Sequence, residues 1–257
     1  MKYLIKKTNM PKLSIITICL NEKANIEKTL SSVAQQTFSN FEWHILDGGS
    51  KDGSVDIIEE YRIKYKNKIT TFICQKDNGI YNAYNKGIQL SKGEYILFLN
   101  GGDYLYNEHV LKTVFDQPMS AEILIGQIKK TKRGIFIKQS KPKTYRATKY
   151  YLFCHGLPTP ASFIKRSLFL QHGLYDETFK ITADRDFFVK EIAKYKTKVN
   201  FLPQTITVFN TEGISCREES RAIKENEHRI IRKRHYSFFH HIFFSFLLFL
   251  RKLRVTN

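Results

Sequence analysis

The chain has 257 residues, of which 42% are hydrophobic, and its 20 Phe and 14 Tyr exclude a disordered chain and suit one large globular domain. Its 42 basic and 24 acidic residues give a formal net charge of +18. This charge predicts an anionic partner without choosing among nucleic acid, a nucleotide diphosphate and a membrane surface. The four cysteines are widely spaced and form no C-x-x-C pair, which argues against a zinc site or a redox motif and favours reduced cytoplasmic thiols.

Short apolar runs alternate with helix-like segments up to residue 103. The runs at 13–20, 42–47, 69–75 and 94–100 predict strands, and residues 25–36, 54–65 and 80–91 have helical spacing. Asn25 and Asp52 are the expected N-caps. Basic residues precede the first run as in a signal peptide, but the run is short and ends in Asn21-Glu22, so we interpret it as the first strand. The alternation predicts a mainly parallel, doubly wound α/β sheet.

Beyond residue 105 the alternation is less regular and predicts a mixed sheet. Residues 121–128, 133–139, 199–203 and 205–210 are interpreted as strands, and residues 164–173 and 183–195 as helices. Since neither an internal repeat nor a Gly/Pro-rich linker interrupts residues 1–215, we expect them to form one fold.

Residues 216–257 are predicted to form a basic, aromatic helical tail. The nearly wholly apolar stretch 236–250 lies between two basic clusters, and Phe238, Ile242, Phe246 and Phe249 share one helical face. As a helix this stretch is about 22 Å long, which is too short for about 30 Å of bilayer hydrocarbon. The pattern favours a helix lying in the plane of an anionic membrane surface. A helix that docks on the core or pairs with a second copy is the alternative.

Three predicted strands end in polar residues and glycines. The first ends in Asn21-Glu22, the second in residues 46–54 (LDGGSKDGS) and the fourth in residues 99–103 (LNGGD). Ligands of open α/β sheets bind at the carboxyl ends of strands, where glycines allow close backbone approach and helix N-termini bind phosphate. A nucleotide diphosphate is the predicted ligand, although the loops match neither G-x-x-x-x-G-K-[ST] nor G-x-G-x-x-G.

Two longer stretches carry a family resemblance. Residues 11–54 (PKLSIITICLNEKANIEKTLSSVAQQTFSNFEWHILDGGSKDGS) and 77–103 (DNGIYNAYNKGIQLSKGEYILFLNGGD) resemble the inverting family 2 glycosyltransferases that assemble bacterial surface polysaccharides. The resemblance extends over roughly residues 11–215. It implies a GT-A Rossmann-like nucleotide-binding fold with a mixed central sheet. The donor half would span about residues 11–105 and the acceptor half about residues 106–215.

The resemblance also implies a donor site with a divalent cation. Asp103 is the expected ligand of Mn²⁺ or Mg²⁺ between the two phosphates. Asn82 and Asn100 stand where many relatives carry aspartate, and an amide oxygen coordinates a cation without neutralising its charge. The expected nucleotide-sugar contacts are Thr17, Asn21, Glu22, Asp47, Gly49, Asp77, Asn82, Asn85, Lys86, Asn100 and Gly102.

The catalytic base is expected further along the chain. In residues 179–191 (FKITADRDFFVKE), which resemble the segment that carries the base, Asp184 is the expected base and Asp186 the alternative. His155 is an expected neighbour of the acceptor, and Ser215 and Arg217 are expected near the diphosphate.

The expected activity is that of a metal-dependent inverting hexosyltransferase. It would use a nucleotide-diphosphate sugar, UDP-linked, and a lipid-linked or saccharide acceptor for surface polysaccharide assembly. The enzyme would be cytoplasmic and peripheral on the inner face of the cell membrane. The alternatives are a degenerate, non-catalytic relative and a basic protein that binds membrane or nucleic acid. Nucleic acid is disfavoured because the strand-end carboxylates would repel phosphate unless a metal intervened.

Overall fold

In the computed structural model, residues 10–140 and 147–253 are described. The strands in this part of the chain are β1 (Leu13–Cys19), β2 (Phe41–Asp47), β3 (Thr71–Cys74), β4 (Tyr95–Phe98), β5 (Tyr104–Leu105), β6 (Ile123–Lys132), β7 (Ile135–Gln139), β8 (Ser162–Lys165) and β9 (Val199–Asn210). The helices are α1 (Ile26–Ala34), α2 (Ser54–Lys64), α3 (Ile80–Leu90), α4 (Val110–Phe115), α5 (Lys149–Cys154), α6 (Arg166–His172), α7 (Ala183–Val189), α8 (Ser220–His235) and α9 (Phe238–Leu253). A π-helical segment, Lys190–Tyr195, continues α7.

The strands form one mixed sheet in the order β3-β2-β1-β4-β8-β6-β9-β5, with β7 paired to β6. Strands β1 to β4 pair in parallel, β8 is antiparallel to both β4 and β6, and β9 is parallel to β6. The expected parallel half followed by a mixed half is therefore confirmed. Since β1 to β4 are parallel, their carboxyl ends meet at one edge of the sheet.

Both faces of the sheet are covered. Along β1, Leu13 and Ile15 pack in the cluster that includes α1, whereas Ile16 and Ile18 pack in the cluster that includes α3. This alternation follows from the two-residue period of a strand, and burial on both faces explains why β1 has an almost uninterrupted apolar sequence.

The structure differs from the sequence prediction at several boundaries. The two strands expected on either side of Gln204 form the single strand β9, with the register of its pairing to β6 shifted in this region. Helix α2 is capped by Gly53 at φ +93°, and Asp52 instead accepts a hydrogen bond from Ser54 N–H at 3.0 Å. Asn25 precedes α1 without a capping hydrogen bond from its side chain. Strands β5 and β8 and helices α4 and α5 were not expected.

Helices α8 and α9 pack against the sheet domain. Ile231, Tyr236 and Phe244 are buried in the same cluster as α3 and α7. Several phenylalanines of α9 face outward, including Phe238 and Phe246, which the sequence placed on one helical face. None of the described helices is both long enough and apolar enough to cross a bilayer.

Candidate active site

A cleft of about 470 Å³ opens at the carboxyl ends of β1 and β4. Its walls include Asn21 and Glu22 after β1, Asn100 and Asp103 after β4, and Asp184 at the start of α7. The loop after β1 is held by the loop after β2, since Asn21 Oδ1 accepts a hydrogen bond from Lys51 N–H at 2.9 Å. The polar residues that follow β1 and β4 are thus brought together at one cleft, as the sequence predicts.

The turn after β4 is shaped by α1 and α3. Gly102 adopts φ +93°, a conformation that favours glycine, and its N–H donates to Thr29 Oγ1 at 2.9 Å. The Thr29 hydroxyl in turn donates to the carbonyl of Asp103 at 2.7 Å. Tyr84 of α3 donates its hydroxyl proton to Asn100 Oδ1 at 2.6 Å. These bonds fix the turn that presents the Asp103 carboxylate.

Asp103 is a buried carboxyl beside a second carboxyl. Among the described residues only Asn210 donates to its carboxylate, from the backbone N–H to Oδ1 at 2.8 Å. Burial raises the pKa of Asp103 to about 8, and the nearby Glu22 carboxylate acts in the same direction, whereas the Asn210 bond opposes both. Burial also raises the pKa of Glu22. A hydrogen bond involving Asn25 and the positive charge of Arg217 oppose this rise in the pKa of Glu22.

These donor groups fit a hard divalent cation. Carboxylate oxygens are the ligands that Mg²⁺ and Mn²⁺ prefer, and a cation would offset the negative charge at Asp103 and Glu22. Within residues 10–140 and 147–253, no group of three or more His, Cys, Asp and Glu side chains is arranged to hold an ion. A cation bound here would therefore take its remaining ligands from a bound diphosphate and from water.

Asp184 lines the same cleft as Asp103 and is half-buried at the start of α7. Its Oδ2 accepts the hydroxyl proton of Thr159 at 2.6 Å, and its Oδ1 accepts Arg185 N–H at 2.8 Å. The Tyr81 hydroxyl lies 2.7 Å from the carbonyl oxygen of Ile181 and 3.2 Å from Asp184 Oδ1, so the carbonyl is the nearer of its two acceptors. Burial raises the pKa of Asp184, while the donors from Thr159 and Arg185 oppose that effect.

Asp186 points elsewhere. Residues two apart on a helix lie on different faces, and the Asp186 carboxylate contacts α8. Its Oδ1 lies 3.2 Å from Arg234 Nη1 and 2.8 Å from His235 Nε2. Asp186 thereby joins α7 to α8, and Asp184 is the carboxylate of this segment that reaches the cleft.

Several residues expected to contact the donor do not line this cleft. Thr17 is fully buried and accepts a hydrogen bond from Trp43 Nε1 at 3.0 Å. Asp47 is buried and accepts bonds from Gly49 N–H at 2.9 Å and Ser50 N–H at 2.7 Å, so it stabilises the loop after β2. Gly49 itself adopts φ +89° in that loop.

The polar residues of α3 are used in packing. Asn85 is buried, and its Nδ2 donates to the Tyr175 carbonyl at 2.9 Å and to Glu177 Oε1 at 2.8 Å, while its Oδ1 accepts Tyr175 N–H at 3.0 Å. Asn82 Nδ2 donates to Glu177 Oε2 at 2.9 Å. The structure gives both residues a role in holding α3 to the segment before α7. Lys86 lies on the same helix and does not line the cleft.

The remaining predicted residues divide between the cleft and its surroundings. Ser215 and Arg217 line the cleft. Asp77 does not, and its Oδ1 accepts Gly79 N–H at 2.9 Å just before α3. His155 is exposed, with its ring 4.9 Å from that of Tyr151.

Sequence reasoning missed four residues that contact Asp184, Asp103 or Asn100 in the cleft. Tyr81 and Tyr84 are three residues apart, so one face of α3 presents both to the cleft, and this spacing was a usable signal. Thr159 and Asn210 carry no comparable signal, because only the tertiary fold brings them to Asp184 and Asp103.

Comparison with known proteins supports a common fold. The profile of glycosyl transferase family 2 matches residues 14–244. A "PGL/p-HBAD biosynthesis glycosyltransferase" of Mycobacterium tuberculosis is 26% identical over 216 residues, covering 79% of this chain and 78% of that protein. Staphylococcus aureus TarS 1–349, solved with UDP-GlcNAc, superposes with a TM-score of 0.63 at 22% identity over 77% of this chain and 58% of TarS 1–349. The mannosyltransferase PcManGT of Pyrobaculum calidifontis, solved with GDP-Man and Mn²⁺, gives 0.60 at 17% identity over 89% of this chain and 62% of that one. This chain thus spans less than two thirds of both solved chains.

Proposed function

The chain belongs to glycosyl transferase family 2, and we propose that it transfers a sugar, with inversion, from a UDP-linked donor to a saccharide acceptor in cell-surface polysaccharide assembly. The observation that carries this proposal is the single cleft that Asp103 and Asp184 both line. The UDP-GlcNAc bound by TarS supports a UDP donor. The mycobacterial "PGL/p-HBAD biosynthesis glycosyltransferase" supports a role in biosynthesis.

The donor diphosphate is proposed to lie between Asp103 and Arg217. Asp103 and Glu22 would hold Mn²⁺ or Mg²⁺, as the Mn²⁺ of PcManGT suggests, and the cation would supply Lewis-acid stabilisation of the diphosphate leaving group. The Arg217 guanidinium lines the same cleft and offers charge-assisted hydrogen bonds to phosphate oxygens. Asn100, held by Tyr84, adds a neutral oxygen without adding negative charge.

Asp184 is proposed to be the general base. Its carboxylate takes the proton of the acceptor hydroxyl as that oxygen attacks the anomeric carbon from the face opposite the diphosphate. Thr159 and the Arg185 N–H orient the carboxylate, and their bonds favour its ionised form. Burial acts against ionisation and raises the basicity of Asp184, which suits proton abstraction near neutral pH.

Calorimetric titration tests the donor site. Wild type and Asp103→Asn are titrated with UDP and with GDP, each with Mn²⁺ and with chelator. We expect UDP binding that requires Mn²⁺ in the wild type and is weakened by about tenfold or more in the variant. Asn85→Ala is a matched control, because it removes a polar side chain that does not line the cleft. The proposed site would be contradicted if UDP affinity were the same with Mn²⁺ as with chelator and the same in Asp103→Asn as in the wild type.

The exposed face of α9 is proposed to hold the enzyme at the cytoplasmic face of the membrane, where a lipid-linked acceptor would lie. Phe238, Phe239, Phe243, Phe246 and Phe249 are each more than half exposed. Such a face buries apolar surface at the headgroup boundary, while the basic residues on either side of it in the sequence attract anionic lipid.

Vesicle binding tests this position. Phe243→Ser with Phe246→Ser should reduce binding to vesicles of anionic lipid, whereas Phe136→Ser, which removes an equally exposed phenylalanine from β7, should not. Point variants are preferable to deleting the helix, because Phe244 is buried in the core. The proposal would be contradicted if the wild type, the double variant and Phe136→Ser bound the vesicles equally well.

A further inference from the structure

A second cleft, of about 690 Å³, adjoins the first. The two clefts share Thr159, Pro160, Asp184, Phe209 and Ser215 as walls. If the donor occupies the first cleft, a molecule in the second meets it at the Asp184 carboxylate, and this is the position that an acceptor must take.

Two lysines project from one side of this second cleft. Lys130 on β6 and Lys138 on β7 both line it, and they are directly opposite each other in the antiparallel β6–β7 pair. Like charges in directly opposed positions destabilise a sheet. In the described part of the chain, neither Lys130 nor Lys138 forms an ion pair with a carboxylate. The ion pair of the β6–β7 hairpin is instead made by Arg133, whose Nε lies 3.8 Å from Glu212 Oε1.

The position of Lys130 is defined by an aromatic contact. Its Nζ lies 6.0 Å from the ring centroid of Phe209, which lines both clefts. Lys129, the preceding residue, does not line the second cleft, and its Nζ lies over Tyr106 at 5.9 Å and Phe136 at 5.4 Å. Neighbouring residues on a strand face opposite sides, so only one of these two lysines is presented to the cleft.

We propose that Lys130 and Lys138 form an anion subsite for a phosphate group carried by the acceptor. The proposal rests on the proposed function, because it takes the second cleft as the acceptor site. Two opposed ammonium groups that repel one another become favourable when an anion lies between them. A phosphate ester or pyrophosphate carries the charge and the acceptor oxygens that two lysines can bind together. An unfavourable pair of like charges, such as these two opposed lysines, is expected beside a binding site, where a ligand of opposite charge compensates for it.

The same phosphate chemistry could come from a polyol-phosphate chain or from a lipid pyrophosphate. Fluorescence anisotropy of UDP-saturated protein is measured with a labelled glycerol-phosphate oligomer, a labelled saccharide on a short isoprenyl pyrophosphate, and a neutral labelled saccharide. Lys130→Gln and Lys138→Gln are compared with Lys129→Gln, which removes the same charge from the other face of β6.

We expect each cleft variant to weaken binding of an anionic probe by about tenfold, with the neutral probe and the Lys129→Gln control changed by less than about twofold. The anionic probe that loses affinity identifies the source of the phosphate. Equal weakening by all three variants would show a general charge effect and overturn the subsite. Absence of binding of both anionic probes to the wild type would also overturn it.

A parallel titration with UDP separates this proposal from the proposed function. Both cleft variants should bind UDP with wild-type affinity, because neither lysine lines the first cleft. If the wild type fails to bind UDP but still binds an anionic probe through these lysines, the proposed function fails and the anion subsite remains.

Discussion

Replacing Glu227 by alanine should both destabilise the fold and slow sugar transfer. Glu227 lies on α8 and is only 5% exposed. Its carboxylate accepts Lys180 N–H at 2.6 Å, Thr182 N–H at 2.9 Å and the Thr182 hydroxyl proton at 2.8 Å, and it lies 3.2 Å from Ile181 N–H. These donors belong to the turn that leads into α7. Glu227 thus joins α8 to the segment that presents Asp184.

The magnitude follows from the donors that would lose their acceptor. Ile181 and Thr182 are buried, and each buried N–H left without a partner costs about 1–3 kcal/mol. Removing a buried carboxylate also removes its desolvation penalty, so we expect a net loss of about 3 kcal/mol in the free energy of unfolding. Because about 1 Å of misplacement can cost about a hundredfold in rate, kcat should fall about tenfold to a hundredfold.

Urea denaturation and initial rates of sugar transfer measure the two effects. Glu225→Ala is the matched control, because Glu225 lies on the same helix with a side chain 66% exposed and a surface ion pair to Arg221. We expect that control to change stability by less than about 0.5 kcal/mol. A folded Glu227→Ala protein with wild-type stability or wild-type kcat would refute the role assigned to Glu227.

Three further changes test individual features of the site. Thr159→Val removes a hydrogen bond that lowers the pKa of Asp184, so that pKa should rise. Because a base must be ionised to act, kcat/KM should then fall more at acidic than at alkaline pH. A pH–rate profile checks this, and an equal fall at every pH would count against it. Asn85→Ala should lower the free energy of unfolding by about 2 kcal/mol while calorimetry shows UDP affinity changed by less than about twofold. Gly102→Ala places a side chain at φ +93° and should destabilise the protein by about 1–2 kcal/mol in urea unfolding, whereas an unchanged midpoint would show that the turn adapts.

The parallel half of the fold was predictable because local sequence determines it. Strands β1 to β4 alternate with helices, and the apolar runs of β1, β2 and β4 reflect burial on both faces, whereas β3 lies at the edge of the sheet. The mixed half was less predictable. Strand β5 has only two residues, and β8 (Ser162–Lys165) runs directly into α6, so the helical spacing predicted for residues 164–173 obscured its end. Residues 199–210 were read as two strands, yet pairing with β6 holds them as one.

The site was predictable where position along a strand was sufficient. Asn21, Glu22 and Asp103 converge because they follow parallel strands whose ends share one edge. Asn85 shows why the rest was not predictable. Its amide bonds to Tyr175, which is 90 residues further along the chain, and no local pattern distinguishes that packing role from ligand binding.

The most direct test of the account is the rate of sugar transfer from a UDP-linked donor by Asp184→Asn, with UDP affinity measured on the same preparations. The account predicts that kcat falls about a hundredfold or more while UDP affinity changes by less than about twofold, because Asp184 acts on the acceptor proton and the donor is held by Asp103, Glu22 and Arg217. Transfer by Asp184→Asn at a rate near that of the wild type would contradict the assignment of Asp184 as the base.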